Sequence, residues 1–309
     1  MVITVTLNPA VDKTLIVPGF AVDAVNRVEE ILLDPGGKGI NVSKSVQALG
    51  GETLCIGILG GDTGSYIRQA LDEMKLKHDM VLSHCPTRTN TKIVDLKLGT
   101  NTDINEAGAP ITEQLLDSVW EKLCAAAKAG DTVVIAGRNP PGTPDVLLAR
   151  WTRQLCQKGV RVCLDTVGLP MTLAVQERPS VIKPNREELS AFTGKIFADD
   201  IEVLAAAKEL VDSGIDLVAV SLGADGAIFA AKEKCCRSRC PKVTAVSTVG
   251  AGDAMMAALA YCIEKNCVLE ETARIATAVA TATVQVSGSQ PAPRELVEKM
   301  LALIEVEEI

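Results

Sequence analysis

Thr132-Val133-Val134-Ile135-Ala136-Gly137-Arg138-Asn139 is the stretch that decides the fold. Five apolar or β-branched residues in a row make a strand buried on both faces, and the run is too short for a helix. Glycine and two polar residues then end it. A segment of helical period precedes it. The same unit recurs at Val160–Leu164 and at Leu217–Leu222. Working outward, Val2–Leu7 and Thr53–Leu59 are strand-like, while Ile40–Leu49 and Gly64–Met74 have helical spacing. Such alternation predicts an α/β fold with a mainly parallel central sheet between helical layers. Gly252 to Glu305 reads as a helical C-terminal region, with Ala273–Val286 as a buried helix. Residues 12–34 and 87–105 break the alternation. Their extended pattern, without intervening helices, predicts a small second sheet that forms a flap over a cleft.

Composition narrows the function. The chain has 309 residues, of which 47% are apolar, enough for a substantial core. Aromatics are only 3%, which disfavours a surface that stacks bases or sugar rings. The net charge of −8 gives no broad footprint for nucleic acid or anionic membrane. A phosphorylated ligand would have to be held by a few focused cations and backbone amides. No apolar run is long and clean enough to span a bilayer. The ten cysteines form no C-x-x-C pair, and the sequence opens on a strand rather than a signal peptide. Free thiols in a cytoplasmic protein are therefore expected. Cys235, Cys236 and Cys240 read as part of a surface hairpin beside Arg237 and Arg239. A zinc site there would need further ligands, and the only histidines are His78 and His84.

Polar residues gather where the strands end. Asn8-Pro9, Gly60-Gly61-Asp62, Gly137-Arg138-Asn139, Asp165-Thr166, Lys183-Pro184-Asn185 and Ser221-Leu222-Gly223 all follow strand-like runs. Open α/β sheets bind ligands along that edge.

Four motifs lie there or lead into helices. Gly36-Gly37-Lys38-Gly39-Ile40-Asn41 precedes a helix, so its backbone can come close to a ligand. It is not a P-loop, because Gly39 follows Lys38 and Leu32 stands where the first glycine belongs. Taken alone, the glycine cluster reads first as a tight turn before a helix. Gly250-Ala251-Gly252-Asp253 opens an apolar helix and offers successive amides as an anion hole. Met255 excludes the dinucleotide fingerprint. A helix-end charge would account for Asp253 alone, but not for the two glycines before it. Lys183-Pro184-Asn185-Arg186-Glu187-Glu188 places a cap residue at Asn185 with Glu188 three positions on. Either this is ordinary capping, or the two oxygens hold Mg²⁺ through water. Ser221-Leu222-Gly223-Ala224-Asp225-Gly226 reads as a strand end and tight turn before the strand Ala227–Ala231. A nucleotide could lie over that turn.

These four segments, in this order, resemble the ribokinase-like (PfkB-type) carbohydrate kinase family over nearly the whole chain. The specific parts are Gly-Gly-Lys-Gly-Ile-Asn and Ser247-Thr248-Val249-Gly250-Ala251-Gly252-Asp253. Thr6-Leu7-Asn8-Pro9-Ala10-Val11-Asp12 and Arg88-Thr89-Asn90-Thr91-Lys92 are similar to the 1-phosphofructokinase and tagatose-6-phosphate kinase branch, and within it Arg88-Thr89-Asn90 and Ser247-Thr248-Val249 lean toward the former. The resemblance implies one ribokinase-like three-layer sandwich over 1–309, with a β-sheet lid. It implies ATP and Mg²⁺ as cofactors and a ketose phosphate as substrate, with fructose 1-phosphate giving fructose 1,6-bisphosphate. Tagatose-6-phosphate kinase is the enzymatic alternative. A non-catalytic sugar-phosphate sensor is the alternative from another class.

By the same resemblance, Asp253 is the base, and the amides of Ala251, Gly252 and Asp253, after Gly250, stabilise the transferring group. Asn185 and Glu188 serve the metal through water. Lys183, Asn185, Ser221, Gly223 and Gly226 belong to the nucleotide site. Asp12, Gly37 and Asn41 hold sugar hydroxyls, and Arg88, with Lys38, meets the sugar phosphate. The lid implies a homodimer, in which Arg27 reaches a neighbour's substrate phosphate. Gly137-Arg138-Asn139-Pro140 departs from the family's Gly-Ser-Leu-Pro, which puts Arg138 in the place of a phosphate-binding serine.

Overall fold

A computed structural model describes residues 1–309. In chain order the first half contains β1 (Val2–Thr6), β2 (Ala10–Ile16), β3 (Glu30–Gly36), α1 (Lys38–Ala48), β4 (Thr53–Gly60), α2 (Gly61–Glu73), β5 (His78–Ser83), β6 (Arg88–Asp95), β7 (Thr100–Asn105), α3 (Glu113–Ala126), β8 (Thr132–Ala136) and α4 (Leu147–Gln157). The second half contains β9 (Arg161–Asp165), α5 (Leu169–Val175), β10 (Val181–Ile182), α6 (Arg186–Thr193), α7 (Asp200–Asp212), β11 (Leu217–Ser221), β12 (Ala227–Ala231), β13 (Cys235–Arg239), α8 (Ala251–Lys265), α9 (Leu269–Thr283), α10 (Arg294–Leu301) and β14 (Glu305–Glu308).

Ten strands form the central sheet in the order β14-β13-β12-β11-β10-β9-β8-β1-β4-β5. Every pairing from β11 to β5 is parallel, and the β11–β12–β13–β14 end is antiparallel. Helices cover both faces. β1 shows why: Ile3 and Val5 point into the core packed by α3, α4 and α7, while Val2 joins the core of α1, α8 and α9 on the other face. This is the expected alternation of a strand buried on both sides.

The remaining strands pair as a separate sheet in the order β3-β2-β6-β7. One row of it, Asp34-Asp12-Asn90-Asn105, includes the residues that face the cleft. The neighbouring row, Leu33-Lys13-Thr91-Ile104, leaves Leu33 and Ile104 exposed.

Two expectations are corrected. Cys235-Cys236 is not on a surface hairpin: β13 is an interior strand, with Cys235 in one face's core and Cys236 in the other's. No group of three or more His, Cys, Asp or Glu side chains, there or elsewhere, comes together as direct metal ligands, and all ten cysteines are free. The chain also does not end helically. Glu305–Glu308 returns as an edge strand on β13, with Glu307 paired to Arg239 at 2.8 Å. No helix is long and apolar enough to cross a membrane.

Candidate active site

The strand ends and two helix starts meet in a cleft of 1120 Å³ between the central sheet and the small sheet. At its centre α8 begins. Gly250 takes a left-handed φ of 82°, and no side chain caps the helix. The amides of Ala251, Gly252 and Asp253 therefore have no acceptor in the protein, which leaves the positive end of the helix open to an anion. A Cβ at Gly252 would meet only the end of Lys183, with Nζ at 3.3 Å. The missing side chain thus opens space rather than filling a packing need.

Asp253 lies in the first turn and is 7% exposed. Its Oδ2 accepts a hydrogen bond from Asn41 Nδ2 at 2.9 Å. Burial pushes its pKa up, and nearby Asp165 adds to this. Lys38, Asn41 and Lys183 pull the other way, and the balance stands at about 6.

Asp165, named in the sequence only as one of the strand-end residues, organises the cations. It ends β9, is 2% exposed, and stands 3.0 Å from Lys38 Nζ and 3.6 Å from Lys183 Nζ. Burial opposes its charge, but the two lysines outweigh burial and hold its pKa below the usual range. For Lys38 too, burial works against the charge, and Asp165 with Asp253 reverses it, so the ammonium is held above its ordinary pKa. The available signal was a carboxylate directly after a buried strand, in line with lysines from two other motifs.

At the glycines before α1 the tight-turn reading holds. A Cβ at Gly39 would stand 2.3 Å from Thr6 Oγ1 and 2.9 Å from the Val5 carbonyl. One at Gly37 would stand 2.9 Å from Pro9 Cα. At Gly36 the space is filled by the Asp12 carboxylate, 2.0 Å from where a Cβ would be. These glycines seat the helix on β1 and make room for Asp12, rather than chiefly admitting a ligand. Asp12 is further oriented by Asn90 Nδ2 at 3.0 Å, and burial raises its pKa. Gly37, Lys38 and Asn41 all line the cleft.

Arg88 lines it as well. Its Nη1 donates to the Glu106 carbonyl at 2.6 Å and its Nη2 to the Asn8 carbonyl at 3.2 Å. Burial lowers its pKa and Arg138 lowers it further, against the opposing pull of Asp12. Arg138 is exposed, has no hydrogen-bond or ion-pair partner, and does not form the cleft wall. Arg27 is exposed in the segment between β2 and β3 and does not line this chain's own cleft.

On the other side, Lys183, Asn185, Glu188, Ser221, Gly223 and Gly226 all border the cleft. Gly226 has φ 92°, and a Cβ there would stand 2.1 Å from the Ser238 carbonyl, so only glycine closes this turn. Asn185 and Glu188 form the complete capping box. Asn185 Oδ1 accepts from the Glu188 amide at 2.7 Å, and Glu188 Oε2 accepts from the Asn185 amide at 2.9 Å. Capping therefore uses one oxygen of each, and Glu188 Oε1 keeps its acceptor capacity. The donor set fits a metal held through water, not a closed protein cage.

Lys44, passed over in the sequence, ties the two sides together. It is 3% exposed, and its Nζ donates to the Pro35 carbonyl at 3.0 Å and the Ser289 carbonyl at 2.9 Å. Next to it, Gln290 Nε2 donates to Asp34 Oδ1, and Asp34 occupies the space over Gly288.

Known proteins resemble this chain in sequence and in fold. The profile of the "pfkB family carbohydrate kinase" matches residues 5–295. A 1-phosphofructokinase of Xanthomonas campestris pv. campestris is 37% identical over 287 residues, covering 89% of this chain and 88% of its own. One from Bacillus subtilis is 33% identical, covering 99% of each. Among solved structures, the phosphofructokinase-2 of Escherichia coli in complex with substrates and products superimposes with a TM-score of 0.95 at 30% identity, covering 98% of both chains.

Proposed function

The chain belongs to the pfkB family of carbohydrate kinases, and from that premise we propose that it transfers the γ-phosphoryl group of ATP to a ketose phosphate, fructose 1-phosphate, giving fructose 1,6-bisphosphate. The observation that carries this reading is Asp253: a buried carboxylate with its pKa near 6, in the first turn of a helix whose amides are unpartnered, within the field of Lys38 and Lys183. The 1-phosphofructokinase relatives supply the substrate.

In this mechanism Asp253 accepts the proton of the attacking 6-hydroxyl as its oxygen bonds to the γ-phosphorus and the bond to ADP breaks. A base with a pKa of about 6 is mostly ionised at neutral pH and still able to take the proton. The amides of Ala251, Gly252 and Asp253 meet the charge on the transferring group, which is where catalysis of phosphoryl transfer resides. Lys183 reaches the same space from the side, next to Gly252. The nucleotide lies along Ser221, Gly223 and Gly226. Mg²⁺, when bound, neutralises phosphate charge, and Asn185 and Glu188 would hold it through water. Asp12, Gly37 and Asn41 take the sugar hydroxyls. Asn41 Oδ1 is buried without a partner and suits that task. Arg88, with Arg138 beside it, takes the phosphate already on the sugar. Arg88 already feels the Asp12 carboxylate, but Arg138 has no partner of its own, and a neutral sugar would offer it no counter-charge.

The four-stranded sheet serves as lid. Its outward Ile31, Leu33 and Ile104 are 53%, 46% and 56% exposed, which favours a homodimer through that face with Arg27 near its edge. Ten free thiols favour a reducing, cytoplasmic setting. The test is a panel of fructose 1-phosphate, tagatose 6-phosphate, fructose 6-phosphate and free sugars with ATP and Mg²⁺. Fructose 1-phosphate is expected to give the highest kcat/KM, with a bisphosphate product seen by phosphorus NMR. Absence of turnover on every ketose phosphate would overturn the kinase reading.

A further inference from the structure

β13 carries a buried cation that the site described above does not use. Arg237 has a side chain only 8% exposed, in the interior of an acidic protein. Its Nη2 donates to the Asp225 carbonyl at 3.0 Å, and its Nη1 lies 2.7 Å from Asp200 Oδ2. The other oxygen of Asp200 takes Arg186 Nη2. Arg186 is the first residue of α6, directly after Asn185, and Asp225 belongs to the turn Gly223–Asp225. One carboxylate and two guanidiniums thus join the helix that presents Asn185 and Glu188 to the turn that presents Gly223 and Gly226. The same turn presses on β13 through Gly226 and the Ser238 carbonyl.

A buried arginine is a costly strand filler. Taking the charge out of water costs several kcal/mol before pairing offsets it, and an apolar side chain of similar volume often does as well or better for stability. Here Arg237 Nε is also buried without a partner. Core packing alone does not call for this residue. Holding the two halves of the nucleotide pocket in register does. We propose that Arg237 is a positioning residue for the nucleotide: through Asp225 and Asp200 it fixes the turn 223–226 relative to α6. It touches neither ATP nor sugar. The proposal rests on the nucleotide assignment made under Proposed function.

The test compares wild type with Arg237→Met, Arg237→Lys and Asp200→Asn, measuring kcat, both KM values, ATP affinity by calorimetry and thermal unfolding. Arg237→Met is expected to raise KM for ATP about 5–20-fold while kcat and the sugar-phosphate KM stay within about twofold, the pattern of lost binding rather than lost chemistry. Arg237→Lys should recover part of the loss. Asp200→Asn, with its side chain 44% exposed, should fold normally and raise KM for ATP about 2–5-fold. An unchanged ATP KM in Asp200→Asn and Arg237→Met overturns the proposal, as does an equal loss in kcat and both KM values. If Arg237→Met does not fold, Asp200→Asn decides by itself. Wild type that fails to bind ATP overturns the nucleotide assignment and this proposal with it. Wild type that binds ATP while the variants match it overturns this proposal alone.

Discussion

Two of the helices that start from glycine clusters, α1 and α8, meet where Asn41 donates to Asp253. On paper they are alike. In space they are opposites. Before α1 the missing Cβ atoms are replaced by the protein's own atoms: Thr6 and Val5 at Gly39, Pro9 at Gly37, Asp12 at Gly36. Before α8 the nearest neighbours of a Cβ at Gly250 would be 3.9 Å away, and at Gly252 only the end of the Lys183 side chain is near. One cluster is close-packed, the other leaves a vacancy beside free amides. Glycine content alone does not separate a fitting requirement from a binding site; what stands in the space of the absent side chain does.

The strongest way to break this contrast is Asp253→Asn, which keeps the vacancy and removes the proposed base. Turnover is expected to fall by about 10²–10⁴-fold with ATP affinity nearly intact. If turnover survives, the α8 start is not the catalytic end. Wild-type kcat/KM should rise with pH through about 6 and level above it, and Asp253→Asn should lose that limb. Linkage gives a second readout. The folded pKa lies above the unfolded value of 3.8, so the folded state binds more protons between them. Stability is therefore full below about 4 and is lost as pH rises toward 6, by up to about 3 kcal/mol at roughly 1.4 kcal/mol per pKa unit. Asp253→Asn should then unfold at higher denaturant than wild type at pH 7.5, with the gap closing near pH 4.

Gly252→Ala comes next. The new methyl group enters the vacancy but improves helix propensity by up to about 1 kcal/mol. Activity should fall about 10–100-fold in a steady-state assay without loss of thermal stability, since misplacement of this order near the reacting atoms is costly. A variant that is unfolded would show that Gly252 is a packing glycine after all. The smallest effect on catalysis is expected at Gly39→Ala. There the methyl group meets the Val5 carbonyl and Thr6, and overpacking should cost about 1–3 kcal/mol by denaturant unfolding. The folded fraction should keep most of its turnover. A large loss of kcat at unchanged stability would erase the difference between the two starts.

The alternation of strand and helix was legible because strands buried on both faces, such as Thr132–Ala136, leave an unbroken apolar run. The C-terminal edge strand was not, because Glu305–Glu308 is charged and its partner lies 66 or more positions back in β13. Asp253, Asn185 and Arg88 stood out through their neighbours in sequence. Asp165 showed only as a strand-end residue without a role, and Lys44 not at all, since each acts on residues far along the chain: Lys38 is 127 positions from Asp165, and Ser289 is 245 from Lys44. The capping box at Asn185 was legible as a cap, and its sequence gives no sign of how much oxygen capacity remains for a metal.

Lys44 bears on how this architecture can be altered. It holds the Pro35 carbonyl at the root of the small sheet and the Ser289 carbonyl beside α9, while Asp34 sits over Gly288 and accepts from Gln290. The small sheet is therefore not a self-contained module. A chimera that imports a foreign sheet to change sugar preference inherits a seam along 288–290, and must carry that segment and residue 44 with it. The small sheet and the 288–290 wall of the cleft are transferable only as a set.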